Sequence, residues 1–307
     1  MGYDLSVLVI TYNQQDTVRK TLDSILQQEH EHSYEIVVCD DCSTDATADI
    51  LREYQGRYPD IVKVFVNGVN LGVVRNYFTA VRNASGEILM QCAGDDFWLP
   101  GKVARQMQVM QDADVAMCFS STLVLDDSTG RLKKGRIGSS FSGPENLLRH
   151  NSVPAVSVCI RSSVVREYIS EIQPESRGWL MEDYPLWLWL AGKYRVHFIS
   201  EPTTVYRFSK SSVSREGDFS RIERFEDSTL SVQRFFSARY GGVISDSVLR
   251  DLMVKRLLKL ALFYRNRKKY VFYFDQLSAI SRKARVKRLL LSCGPVFFVY
   301  TRFFFFR

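Results

Sequence analysis

Short apolar runs alternate with stretches of helical periodicity from the start of the chain to about residue 120. Residues 5–10 (Leu-Ser-Val-Leu-Val-Ile) predict a first strand apolar on both faces. Val18, Leu22, Ile25 and Leu26 recur at helical spacing behind Asp16, read as an N-cap. Residues 34–39 predict a second strand and residues 46–54, led by Ser43 and Asp45, a second helix. A third strand (61–66), a third helix (74–84) closed by Ser85-Gly86, and a fourth strand (88–93) follow. Residues 102–111 read as helix and 115–120 as strand. Residues 122–132 read as a hairpin, with Asp126 and Asp127 as turn formers. Beyond residue 220 the pattern is helical throughout. Such alternation predicts an α/β fold with a doubly wound, mostly parallel sheet, followed by a helical C-terminal region.

Composition adds little until the charge is divided along the chain. With 307 residues, 46% of them hydrophobic, the protein has the makings of a large core. Fourteen Lys and Arg against two Asp lie between Asp251 and Arg307, so that stretch carries +12 of a net +7. The positive charge therefore belongs to the tail. The first strand begins too close to Met1 for a signal peptide, which leads us to expect a cytoplasmic protein. The six cysteines are scattered through apolar runs, as suits a reducing compartment. Cys39 and Cys42 have no second pair to complete a zinc site, so they read as packing residues.

The chemistry concentrates at strand ends. Asp95 and Asp96 follow the fourth strand, and Asp40 and Asp41 follow the second. Adjacent carboxylates raise each other's pKa unless a cation lies beside them, and a divalent metal is the simplest such cation. Glu182 and Asp183 head a strongly apolar helix, a position that the helix dipole alone also favours.

Read together, these stations resemble the family 2 glycosyltransferases, which are inverting enzymes with the GT-A fold. The matching strings are Val7 to Asn13, Asp40 to Thr47, Asn70 to Asn76, Ala84 to Ile88, Asp95 to Pro100, Glu182-Asp183 and Tyr206-Arg207. The resemblance covers about residues 4–215. It implies a Rossmann-like catalytic domain over 1–215, with a nucleotide-sugar half to about 120 and an acceptor half from 121. A basic, aromatic helical region over 216–307 would follow. It further implies that Ile10, Thr11, Tyr12, Asn13, Asp41, Arg75 and Asp95 line the nucleotide, and that Asp96 ligates Mg²⁺ or Mn²⁺. Asp183 would be the general base. Trp98, Trp179, Glu182 and Arg207 are candidates for acceptor or diphosphate contact. The donor would be a nucleotide diphosphate sugar, with UDP the family habit, and the acceptor a saccharide or polyprenyl-linked saccharide used in cell-surface polysaccharide synthesis.

Where many relatives continue Tyr-Arg with a residue and then His, this chain has Phe208-Ser209, so Arg207 reads equally as a phosphate donor or a surface arginine. A nucleotidyltransferase would also use strand-end carboxylates and a metal, but it opens with a Gly-rich loop where this chain has Thr11-Tyr12-Asn13-Gln14-Gln15. A dinucleotide dehydrogenase fails on the same ground. In the tail, Leu249, Met253, Leu257, Leu260 and Tyr264 share a helical face, and Arg282 to Arg288 form a basic cluster before the Phe-rich end. Clustered cations with aromatics also suit nucleic acid, but the apolar run favours lipid, so no nucleic-acid partner is expected. The closing run is too interrupted to span a bilayer. It predicts peripheral contact with the anionic inner face of the cell membrane.

Overall fold

The computed structural model describes residues 2–208, 219–277, 288 and 290–304. The chain divides into two compact units, Met1–Ser209 and Lys210–Arg307. The boundary expected at residue 215 falls outside the described residues.

The first unit is built on a nine-stranded mixed sheet. Its parallel half comprises β1 (Leu5–Thr11), β2 (Tyr34–Asp40), β3 (Val62–Val66) and β4 (Ile88–Ala93), in the order β3-β2-β1-β4. These strands are apolar on both faces because helices cover them. Helix α1 (Val18–Leu26) and α2 (Thr47–Arg57) press Leu22, Ile25, Leu51 and Tyr54 onto Val7, Val9, Ile36, Val38 and Met90. Each such side chain contributes roughly 1.5–3 kcal/mol by leaving water. Helix α3 (Val73–Asn83) precedes β4. Thr17, not Asp16, occupies the N-cap of α1, and its side chain makes no capping bond there.

The second half of the sheet is where the sequence pattern fell short. After β5 (Phe97–Trp98) and α4 (Lys102–Met110), β6 runs from Val115 to Asp126, six residues beyond the apolar run that announced it. It turns back into β7 (Arg131–Ile137) as the expected hairpin. Helix α5 (Pro144–Arg149), the three-residue β8 (Cys159–Arg161) and α6 (Ser162–Ile172) lead to α7 (Asp183–Ala191) and then β9 (Arg195–Phe208). Strand β9 pairs with β6 in parallel and with β5 antiparallel, placing Val205 opposite Phe97 and Thr204 opposite Trp98. That pairing carries the end of β9 back to the end of β4.

The second unit has a core of its own. Helices α8 (Phe219–Arg239), α9 (Asp246–Phe263), α10 (Arg267–Phe274) and α11 (Gly294–Phe304) gather Phe219, Val254, Leu257, Ala261, Tyr270, Leu291 and Phe297. Phe297 is fully buried and Tyr300 packs against the same cluster. The expectation of peripheral membrane contact leaned in part on this closing aromatic run, of which Phe297 packs inward. Residues 282–287 and 305–307, on which that expectation also leaned, lie outside the described residues. Among the described residues no helix is long and apolar enough to cross a membrane.

Candidate active site

Sheet register brings the first three stations together. Ile10 on β1 is paired with Cys39 on β2 and with Ala93 on β4, so the residues after these strands leave the sheet side by side. This is the carboxyl edge of the parallel strands, where ligands bind in open α/β sheets. Asp41 follows β2, Tyr12 and Asn13 follow β1, and Asp95 and Asp96 follow β4.

The acidic segment is gripped from below by α1. Thr17 Oγ1 donates to the Gly94 carbonyl at 2.9 Å, and Thr21 Oγ1 to the Asp96 carbonyl at 2.7 Å. Ser24 Oγ accepts from Trp98 N at 3.0 Å, and Gln28 Nε2 donates to the Leu99 carbonyl at 3.0 Å. These four residues recur at spacings of four, three and four, which is one stripe of a helix. The stripe was visible in the sequence but carried no apolar signal, and it was missed. Gly94 allows the fit: a Cβ there would lie 2.4 Å from Gln14 Oε1 and 2.9 Å from Thr11 Oγ1.

Strand β9 closes the segment from the other side. Arg207 N donates to Asp96 Oδ1 at 2.7 Å, Arg207 Nε to the Asp95 carbonyl at 2.9 Å, and Arg207 Nη1 to Asp127 Oδ1 at 2.8 Å. Arg207 is thus part of the site rather than a surface arginine, and Asp127 is a turn residue that also serves as its counter-ion. The Asp96 carboxyl is pushed well above its ordinary range by burial, then by the charge of Asp95. Asp95 is raised by burial and by Asp127, against the pull of Arg207. The pair is short of positive charge. Asp96 Oδ2 makes no hydrogen bond among the described residues. Among those residues, too, no group of three or more His, Cys, Asp or Glu could hold a metal by itself. The donor set fits a hard cation that takes one or two carboxylates and draws its other oxygens from a ligand and water.

The nucleotide-side candidates are placed unevenly. Asp41 accepts from Asn67 Nδ2 and Leu71 N on one oxygen, at 3.0 and 2.8 Å, and from Gly72 N on the other at 2.8 Å. It therefore ties the loop before α3 to β2. Asn13 holds a positive φ of 52° and links two loops, its N–H donating to Ser43 Oγ and its side-chain oxygen accepting from Thr44 N. Tyr12 is 46% exposed, whereas Thr11 is buried. Arg75 lies exposed on the first turn of α3, its guanidinium unpaired among the described residues. Trp98 is 3% exposed, with Lys102 Nζ 5.0 Å from its ring, and Trp179 is 6% exposed with Arg177 above it. Both indoles are buried, as packing residues are.

Glu182 caps α7 and Asp183 opens it. Burial pushes Glu182 up to about 8, helped by the neighbouring charge of Asp183. Burial also raises Asp183, while the Tyr184 N–H, bonded to Oδ1 at 2.6 Å, draws it back. Two such neighbours do not ionise independently. The buried Tyr77 hydroxyl is raised by burial, then by the charges of Glu182 and Asp183.

A family model described as glycosyl transferase family 2 matches residues 6–169. The chain belongs to glycosyl transferase family 2. Glu182, Asp183 and Arg207 of this family 2 chain lie beyond the matched segment. An uncharacterized protein of Mycobacterium tuberculosis is 35% identical over 123 residues, covering 39% of this chain and 36% of that one. The chain thus spans little more than a third of that relative's length. TuaG of Bacillus subtilis, named for teichuronic acid biosynthesis, is 28% identical, covering 68% and 81%. The Escherichia coli protein WfaP, named as a UDP-Glc:GlcNAc-diphosphoundecaprenol glucosyltransferase, is 26% identical, covering 68% and 79%. S. aureus TarS 1-349 in complex with UDP-GlcNAc superimposes with a TM-score of 0.54 at 16% identity, covering 99% of this chain and 93% of that one. The mannosyltransferase PcManGT of Pyrobaculum calidifontis, in complex with GDP-Man and Mn²⁺, gives 0.54 at 17%, covering 98% and 88%. At such identities the likeness shows the fold, and the family 2 chain has the GT-A fold with C-terminal helices.

Proposed function

We propose that this chain is an inverting glycosyltransferase that moves a sugar from a UDP-sugar to a hydroxyl of a saccharide or polyprenyl-linked saccharide during cell-surface polysaccharide synthesis. The carrying observation is the acidic segment Asp95-Asp96, held between α1 and Arg207 at the carboxyl edge of the sheet. The names of TuaG and WfaP support the polysaccharide setting, and the name of WfaP the lipid-linked acceptor. Basic charge on residues 251–307 supports contact with an anionic membrane surface.

In this reading Asp96, with Asp95 beside it, holds Mg²⁺ or Mn²⁺ against the donor diphosphate. The bound ion would supply Lewis-acid stabilisation of the departing diphosphate. Arg207 adds positive charge at the same end. Tyr12 offers an exposed ring beside the base, Arg75 a free cation at the mouth of the nucleotide side, and Asp41 sets the loop between them. Asp183 takes the acceptor's hydroxyl proton as that oxygen attacks the anomeric carbon and the bond to the diphosphate breaks on the opposite face. A thermal-shift screen of UDP-, GDP- and dTDP-sugars with Mn²⁺ tests the donor: stabilisation by UDP-sugars is expected, and stabilisation by none of the three would defeat the proposal.

A further inference from the structure

Asp127 has a side chain that its own turn does not use. The turn between β6 and β7 is made by Asp126, whose carbonyl accepts from Thr129 N at 3.2 Å and Gly130 N at 2.8 Å and whose carboxylate accepts from Ser128 N at 3.1 Å. Lys133 packs over the Phe208 ring at 3.4 Å and stands 3.5 Å from Asp126, fixing the turn against the end of β9. Asp127 N donates to the Phe208 carbonyl at 3.2 Å. Its carboxylate is left with one described partner, Arg207 Nη1 at 2.8 Å. The Arg207 side chain, 17% exposed, is therefore tied at Nε to the Asp95 carbonyl and at Nη1 to Asp127, while Nη2 makes no hydrogen bond among the described residues. A planar guanidinium fixed at two nitrogens has the direction of its third set.

We propose that Asp127 is a positioning residue, which holds Arg207 so that its Nη2 edge meets a phosphate oxygen of the donor diphosphate. The inference rests on the donor reading above. It has a signature that plain electrostatics would reverse. A carboxylate near a diphosphate repels it, so neutralising Asp127 would tighten binding if charge were its only effect.

Calorimetric titration of UDP with Mn²⁺ present, on the full chain, separates the cases. Asp127→Asn is expected to weaken UDP binding by roughly three- to tenfold, in the range of coupled neighbours, with the thermal midpoint unchanged and Asp127→Glu restoring much of the loss. Arg207→Ala should weaken it further, and the double variant should match Arg207→Ala alone. In steady-state kinetics Asp127→Asn should raise the donor KM and leave the acceptor KM unchanged. Tighter or unchanged binding by Asp127→Asn, or an undiminished loss on the Arg207→Ala background, would overturn the assignment while leaving the donor reading intact. Wild-type protein that bound neither UDP, GDP nor inorganic diphosphate would overturn both.

Discussion

Glu182 and Asp183 show how much a single residue's surroundings decide. Adjacent acids at a helix start are common for dipole reasons alone, and the sequence could not separate that reading from catalysis. Burial goes beyond the dipole reading, because it raises both carboxyls above their ordinary range and couples their titration. Asp183→Asn is accordingly expected to lower kcat by about 10²- to 10⁴-fold with UDP affinity nearly unchanged, as single-turnover kinetics and calorimetry would show. Gly94 is the other residue on which the site turns. Gly94→Ala would drive a methyl into Gln14 and Thr11, costing about 1–3 kcal/mol. Chemical denaturation should register that cost, and Mn²⁺-dependent UDP binding should fall more steeply, since Gly94 adjoins Asp95.

At the scale of elements, legibility followed burial. Strands β1, β2 and β4 are buried almost throughout and announced themselves as apolar runs. Strand β9 did not, because outside the buried Thr203–Val205 its residues are exposed or half-buried, Pro202 interrupts it, and its register with β6 shifts. Three-residue β8 is too short to show a period. The role of Arg207 was hidden for the same reason: its partners lie 80 or more residues away and are reached only through β9 pairing. Helix α1 was found from its apolar face, yet its function lies in the polar stripe of Thr17, Thr21, Ser24 and Gln28. Thr21→Val keeps the shape and leaves the buried Asp96 carbonyl without its donor, a loss of about 1–3 kcal/mol. Urea melts should show it, together with a higher Mn²⁺ concentration for half-maximal activity.

Across the whole molecule, the carboxyls collected at the site make stability depend on pH in an unusual sense. Glu182 is raised in the fold from 4.5 to about 8. The folded state therefore binds the extra proton, and the stability it confers is complete below about pH 4.5 and lost as pH rises towards about 8. Thermal midpoints of metal-free protein should fall across that window, and Glu182→Gln should flatten the decline. In the second unit, Arg256 pairs with the buried Glu226 at 2.6 Å. Because removing one partner strands the other, Arg256→Ala is expected to destabilise that unit by about 3–5 kcal/mol, read as an earlier transition in a protease-resistance series.

The N–H of Arg207 that seats Asp96 spans 111 residues of chain. A ribosome that has released the first 169 residues has made β1 to β4 and both aspartates, but the N–H that holds the Asp96 carboxylate is still to come. The contact on Asp96 therefore forms late, when β9 adds beside β6 and β5, and nascent or truncated chains ending before residue 207 should fold without gaining affinity for metal and diphosphate.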